Sequence, residues 1–215
     1  MTVDRAELKV WKTVLLLLGA LSVLAIGGAY VYLNFIAQNQ LDEKYASWQE
    51  GVYENTALKL RFTAPTGWEH QDADAMAQAQ SEANSAAGLA EEESKERPLF
   101  TAYEPTWRSY ITMTAQYVEG EATTAAIDEA LLQSLTMMGQ QYGAGAYTID
   151  EPQTLTVAGR EWQARRLLLP QTGTGAEIWL LGAVSGDYLI SISITALTED
   201  DPLSLLDCFT TTATK

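Results

Sequence analysis

The stretch EIWLLGAVSGDYLISISITA, residues 177–196, decides the fold. Two apolar runs of strand length, Glu177 to Val184 and Tyr188 to Ala196, flank Ser185-Gly186-Asp187, which reads as a β-hairpin. On the second run Tyr188, Ile190, Ile192 and Ile194 share one face, while Leu189, Ser191, Ser193 and Thr195 share the other. Alternation of period two places the first set inward and the second outward. A second hairpin precedes it, with Thr154 to Val157 and Glu161 to Leu169 around Ala158-Gly159-Arg160. After it, Asp201 is a cap and Pro202 the first residue of a short helix carrying Leu205, Leu206, Cys208 and Phe209.

Further out, the pattern changes period. Ile127, Leu131, Leu135, Met138 and Tyr142 form one helical stripe that Gly143 stops. Ile111, Met113, Ala115 and Tyr117 alternate with Thr112, Thr114 and Gln116 as a strand, and Leu99 to Tyr103 is a shorter strand closed by Pro105. Leu58-Lys59-Leu60-Arg61-Phe62 alternates strictly, and Pro65-Thr66-Gly67-Trp68 ends it in a turn. Asp72 is the expected N-cap of an alanine-rich helix through Met76 towards Ala83. Residues 81–97, with Glu91 to Glu93, have little to bury and read as an acidic, mobile insertion. Hairpins and helices without βαβ alternation predict an α+β domain over 51–212, an antiparallel sheet with helices packed on it.

Before this domain, Thr13 to Leu33 is one uncharged apolar run. At ~1.5 Å per residue it covers roughly 31 Å, about the hydrocarbon thickness of a bilayer. A cleaved signal peptide has a shorter core, usually ~7–15 residues, whereas Tyr30 to Ile36 extend this one past any small-residue cleavage site. The predicted plan is therefore a cytoplasmic tail (1–12), a transmembrane helix (13–35) and a helical stalk (36–50) marked by Leu41, Tyr45 and Trp48. Trp11 and Lys12 would sit at one membrane interface and Tyr30 and Tyr32 at the other. Arg5, Lys9 and Lys12 precede the span, so the N-terminus is expected to be cytoplasmic and the domain extracytoplasmic. The chain's net charge is −15, from 28 acidic and 13 basic residues. That excludes nucleic acid as a partner and leaves the bilayer, through the N-terminal helix, plus an envelope protein or cell-wall component.

No constellation for chemistry stands out, and neither a cofactor nor a metal site is expected. His70, the one histidine, follows a turn and reads as a solvated loop residue; Cys208 reads as a small buried hydrophobe. There is no EF-hand loop and no phosphate-binding glycine loop. The aromatic residues are the candidate site: Trp107, Tyr110, Trp162 and Trp179 lie on or beside strands, near Arg165 and Arg166. If helices cover only one sheet face, this set forms an exposed partner-binding platform; otherwise it belongs to a second core layer. The function expected is a membrane-tethered interaction module without catalysis. The alternatives are a glycan hydrolase with two carboxyl groups ~5–10 Å apart across a cleft and a sensor or assembly subunit acting through the span.

The motifs Tyr53-x-Asn55, Leu58-x-Leu60-x-Phe62, Pro65-x-Gly67-Trp68, Val157-x-Gly159-Arg160 and Gly186-Asp187-Tyr188 together carry a resemblance. They resemble envelope proteins of Gram-positive, clostridia-like bacteria that join a lipobox or an N-terminal span to one PsbP-like α/β sandwich domain. The resemblance covers roughly residues 51 to 212 and its motifs are turns, a strand and a hairpin. It implies a fold also used by an extrinsic photosystem subunit and a nuclear-import accessory factor, both of which act by binding a partner protein.

Overall fold

The hairpin of residues 177–196 is the centre of the molecule. In the computed structural model, which describes residues 46–79, 96–106, 108–118, 122–143, 145–169, 175–197 and 201–212, it forms β10 (Ala176–Ser185) and β11 (Tyr188–Leu197). Their antiparallel register runs from Ser185↔Tyr188 to Ala176↔Leu197. Gly186, at φ +60°, takes the first central position of the two-residue turn, where a tight hairpin of this kind needs positive φ.

Strands add to both sides of this hairpin. β4 (Glu69–Asp72), β5 (Glu96–Tyr103) and β6 (Ser109–Tyr117) extend it from β11, and β9 (Arg160–Leu169) extends it from β10. β7 (Thr148–Ile149) and β8 (Gln153–Val157) both pair with β9, completing an eight-stranded antiparallel sheet. A smaller sheet of four strands has the order β1 (Ala46–Gln49), β2 (Val52–Asn55), β3 (Leu60–Thr63) and β12 (Phe209–Thr211). Helix α1 (residues 73–79) follows β4, with Asp72 Oδ1 accepting from Ala75 N at 2.9 Å as the cap expected of it. Helix α2 (Thr124–Gln140) is capped by Thr123. A 3₁₀ helix, η1 (Pro202–Cys208), begins with Asp201 accepting from Leu203 N and proline at its start.

The large sheet is covered on both faces. The small sheet sends Tyr53, Leu60, Phe62 and Phe209 against Phe100, Met113, Trp162, Trp179, Ile192 and their neighbours. On the other face Ile127, Leu131, Leu135 and Met138 of α2 pack on Leu167, Ile178, Leu180 and Leu189. The helix approaches closely: a Cβ on Gly182 would lie 2.7 Å from Ile127 Cγ2. The expected outward set is therefore buried as well, since Leu189, Ser191, Ser193, Thr195, Thr112 and Thr114 are all inaccessible. Hydroxyls bond across the ladder there, with Thr101 and Thr112 Oγ1 atoms 3.0 Å apart. The α+β expectation stands, with two sheets in place of one.

Three expectations change. Residues 46–49 of the expected helical stalk form β1, paired with β2 from Ala46↔Asn55 to Gln49↔Val52. The i, i+4, i+7 spacing ending at Trp48 competes with an alternation that turns Ala46 and Trp48 inward and Ser47 and Gln49 out, and sheet pairing decides it. Glu96 and Arg97, placed in the acidic insertion, open β5 opposite Gln116 and Ala115. Leu58 is not in a strand: it ends a turn in which Asn55 Oδ1 accepts from Leu58 N at 3.0 Å. Among the described residues no helix is long and apolar enough to cross a membrane; the expected span 13–35 and its interface residues Trp11, Lys12, Tyr30 and Tyr32 lie outside them.

Candidate functional site

Of the positions expected to form a platform, the described ones do not share a surface. Trp162 and Trp179, 0% and 4% exposed, face the small sheet and belong to its core. Their indole N–H groups are satisfied, Trp162 by the Val157 carbonyl at 3.2 Å and Trp179 by Glu177 Oε2 at 3.1 Å. Tyr110 and Arg165 lie on the opposite face, because Tyr110 pairs with Thr195 while its neighbour Ile111 joins the inter-sheet core. Burial pushes the Tyr110 phenol up to about 12, with a Thr195 hydrogen bond pulling slightly the other way. Trp107 lies outside the described residues. The correction has a simple cause: the sequence shows that both faces of these strands are apolar or aromatic, and the small sheet covers the second one.

The arginines hold the layers together. Arg165 donates to both carboxylate oxygens of Asp128 on α2, at 2.6 and 2.8 Å, and to the Asp150 carbonyl at 3.1 Å. This fork-to-fork pair raises the Arg165 guanidinium and ties the helix to β9. On the other face Arg166 pairs with Asp150 and Glu177 and lies 5.4 Å over the Trp179 ring.

Other expected candidates are also placed. His70 is exposed, but it lies on β4, where its ring stacks on Trp48 with centroids 4.0 Å apart and bridges the edges of the two sheets. Cys208 is half-buried at the end of η1, and burial, then Asp207, push its thiol up and away from nucleophilic character. Among the described residues no three His, Cys, Asp or Glu side chains come together as a metal site.

The two ends of the sandwich differ. At one, the β2–β3, β8–β9 and β10–β11 turns meet. The Leu58 carbonyl there accepts from Arg160 Nη2 at 3.2 Å and from Ser185 Oγ at 3.1 Å. Buried Asn55 donates to the Tyr53 hydroxyl at 3.1 Å while its carbonyl oxygen holds Leu58 N. Four of the five motifs that carried the resemblance thus converge in or beside one closed network.

At the opposite end the chain leaves a cleft of about 500 Å³, lined by Thr66, Gly67, Trp68, Glu104, Pro105, Arg108, Ser109, Asp201, Pro202, Ser204 and Leu205. Each wall has a local cause. Gly67, at φ +84°, lets the Pro65–Trp68 turn close with Trp68 N donating to Pro65 O at 3.1 Å, which presents the indole at the rim. Glu104 N donates to Ser109 O at 3.0 Å and closes the β5–β6 turn, and Leu197 N holds the Arg108 carbonyl at 3.2 Å. The third wall is the start of η1, where Pro202 and Leu205 are buried and Asp201 is exposed. Trp68 rests its inner edge on the inter-sheet core. The cleft joins stiff apolar rings to two carboxylates, a guanidinium and several hydroxyls, which is the chemistry of recognition. In the sequence Trp68 reads as part of a strand-ending turn and Asp201 as a cap, neither as a binding residue. The available signal was a tryptophan placed on a turn, where a large apolar ring is not needed to complete a strand face.

No family model and no curated protein matches the sequence. Among solved structures, the chain is similar to cyanobacterial PsbP (CyanoP) from Synechocystis sp. PCC 6803, at 9% identity and a TM-score of 0.47 over 86% of this chain and 99% of that one. It is similar to LpqN of Mycobacterium tuberculosis, described as involved in cell envelope biogenesis, at 12% identity and 0.41 over 72% and 83%. It is also similar to the Saccharomyces cerevisiae Ran-binding protein Mog1p, at 10% identity and 0.38 over 65% and 72%.

Proposed function

We propose that this chain is a membrane-tethered interaction module of PsbP-like architecture, and that its partner docks in the cleft beside Trp68. Residues 13–35 serve as the anchor, with an N-terminal cytoplasmic tail and the domain held outside the membrane. The single observation that carries the binding role is the cleft itself. It brings an indole, two prolines and three charged side chains to one end of a sandwich whose Arg165 and Arg166 are engaged internally. Its partner class is an envelope protein or cell-wall component, within reach of the bilayer surface.

The hydrolase alternative has one observation in its favour: Glu104 and Asp201 both line the cleft. Against it, Asp201 is exposed and its Oδ1 accepts from Leu203 N, which fixes it as a helix cap, whereas a glycosidase acid needs an apolar setting. Docking is therefore the reading adopted. Its test is a photo-crosslinking residue placed at Thr66 in intact membranes, with the same residue at Asp187 on the closed end for comparison. The expected result is an adduct from Thr66 that disappears with Trp68→Ala and never forms from Asp187. Equal labelling from both positions overturns the assignment.

A further inference from the structure

Resting on the assignment of the cleft as the docking site, we infer that its ligand is an extended cationic peptide segment of a partner protein, bearing lysine or arginine beside stiff apolar residues. Trp68, Pro105, Pro202 and Leu205 contribute rings and a branched side chain to the cleft's lining, suited to an extended chain that fills shallow pockets. Its charge comes from Glu104, Arg108 and Asp201. Among the described residues the Glu104 carboxylate has no hydrogen-bond or ion-pair partner, and Asp201 commits Oδ1 to the cap. Arg108 and Ser109 have partners of their own within the structure, and the two carboxylates outnumber the one guanidinium, so the lining's formal charge is negative.

Two further features point the same way. An ammonium or guanidinium group entering this cleft finds an indole, Trp68, in the same lining as the carboxylates, and indole rings attract cations. The whole chain carries a net charge of −15, so its field steers basic segments towards it and repels acidic ones. A neutral glycan uses the same indole as a stacking platform but gains nothing from the field, which makes ionic strength a discriminating variable.

The experiment uses the full chain in detergent micelles and a ten-residue Lys-Pro repeat peptide as probe, with a Glu-Pro repeat and a chitin hexasaccharide as comparators. Binding is read by titration calorimetry at low and high salt. The cationic peptide is expected to bind, weakening about tenfold between 50 and 500 mM salt, while the anionic peptide does not. Glu104→Gln and Asp201→Asn each reduce the affinity by about fivefold. Asparagine caps helices as well as aspartate does, so the second variant removes charge and leaves η1 in place. Trp68→Ala removes binding, with the folded state checked by its unfolding midpoint.

Equal affinity for the two peptides, or unchanged affinity in both carboxylate variants, overturns the cationic ligand. Hexasaccharide binding lost in Trp68→Ala, with no peptide binding, also overturns it while leaving the cleft as the docking site. Peptide binding that is indifferent to Trp68→Ala, Glu104→Gln and Asp201→Asn overturns both.

Discussion

The closed end and the open end of this sandwich are built from the same kind of material, short turns between strands, and reach opposite results. At the closed end Asn55, Arg160 and Ser185 each give a polar atom to the Leu58 backbone, its amide or its carbonyl, while Arg160 Nη1 is buried without a hydrogen-bond partner. At the open end a cleft remains, with Trp68, Glu104 and Asp201 among its lining residues. On the proposed reading, stability and recognition are separated along the strand direction. A buried network resists change because each unpaired polar atom is penalised, whereas an open rim tolerates it.

The largest effect expected comes from alkaline pH. Burial raises the Tyr53 phenol at the closed end and the Tyr110 phenol near the open end to about 12. Their folded values exceed the unfolded value near 10, so the stability of the neutral phenols is complete below pH 10. It is lost as pH rises towards 12, by up to about 2.5 kcal/mol for each tyrosine. Urea midpoints measured across this window should fall steeply, and Tyr53→Phe and Tyr110→Phe should each flatten the decline. A flat wild-type profile contradicts the burial of both rings.

Asn55→Ala comes next. Asn55 is fully buried, and its removal leaves the Tyr53 hydroxyl and the Leu58 amide without their partner. The expected loss is about 3 kcal/mol in urea unfolding, with Thr66 crosslinking in the folded fraction unchanged. Loss of crosslinking without loss of stability reverses the division between the ends. Arg165→Ala is smaller, about 2 kcal/mol, because Asp128 and Arg165 keep some access to solvent at 25% and 11% side-chain exposure. It too should leave crosslinking intact; a selective loss of crosslinking would restore Arg165 to a binding role.

Much of the fold was legible in local pattern. The 177–196 hairpin, the α2 stripe from Ile127 to Met138 and the Asp201-Pro202 start of η1 all form where their residues place them. What was not legible depends on contacts distant in sequence. Glu69–Asp72 is a wholly polar strand that exists because β5 pairs with it, and Trp48 fits two periods until β2 selects one. The site was misread for a related reason. Trp179 and Ile178 alternate along β10, but alternation says only that their faces differ, and the second sheet makes both of them interior. Trp68 belongs to no strand face, so period analysis gave it no weight.

The most direct test compares Thr66 crosslinking yield in intact membranes for Trp68→Ala and Arg160→Ala, prepared side by side. Arg160→Ala removes a bond to the Leu58 carbonyl and should lower stability by about 1 kcal/mol, with the yield retained. Trp68→Ala should abolish the yield while the domain stays folded. The opposite pattern, with yield retained in Trp68→Ala and lost in Arg160→Ala, would contradict the assignment of recognition to the open end.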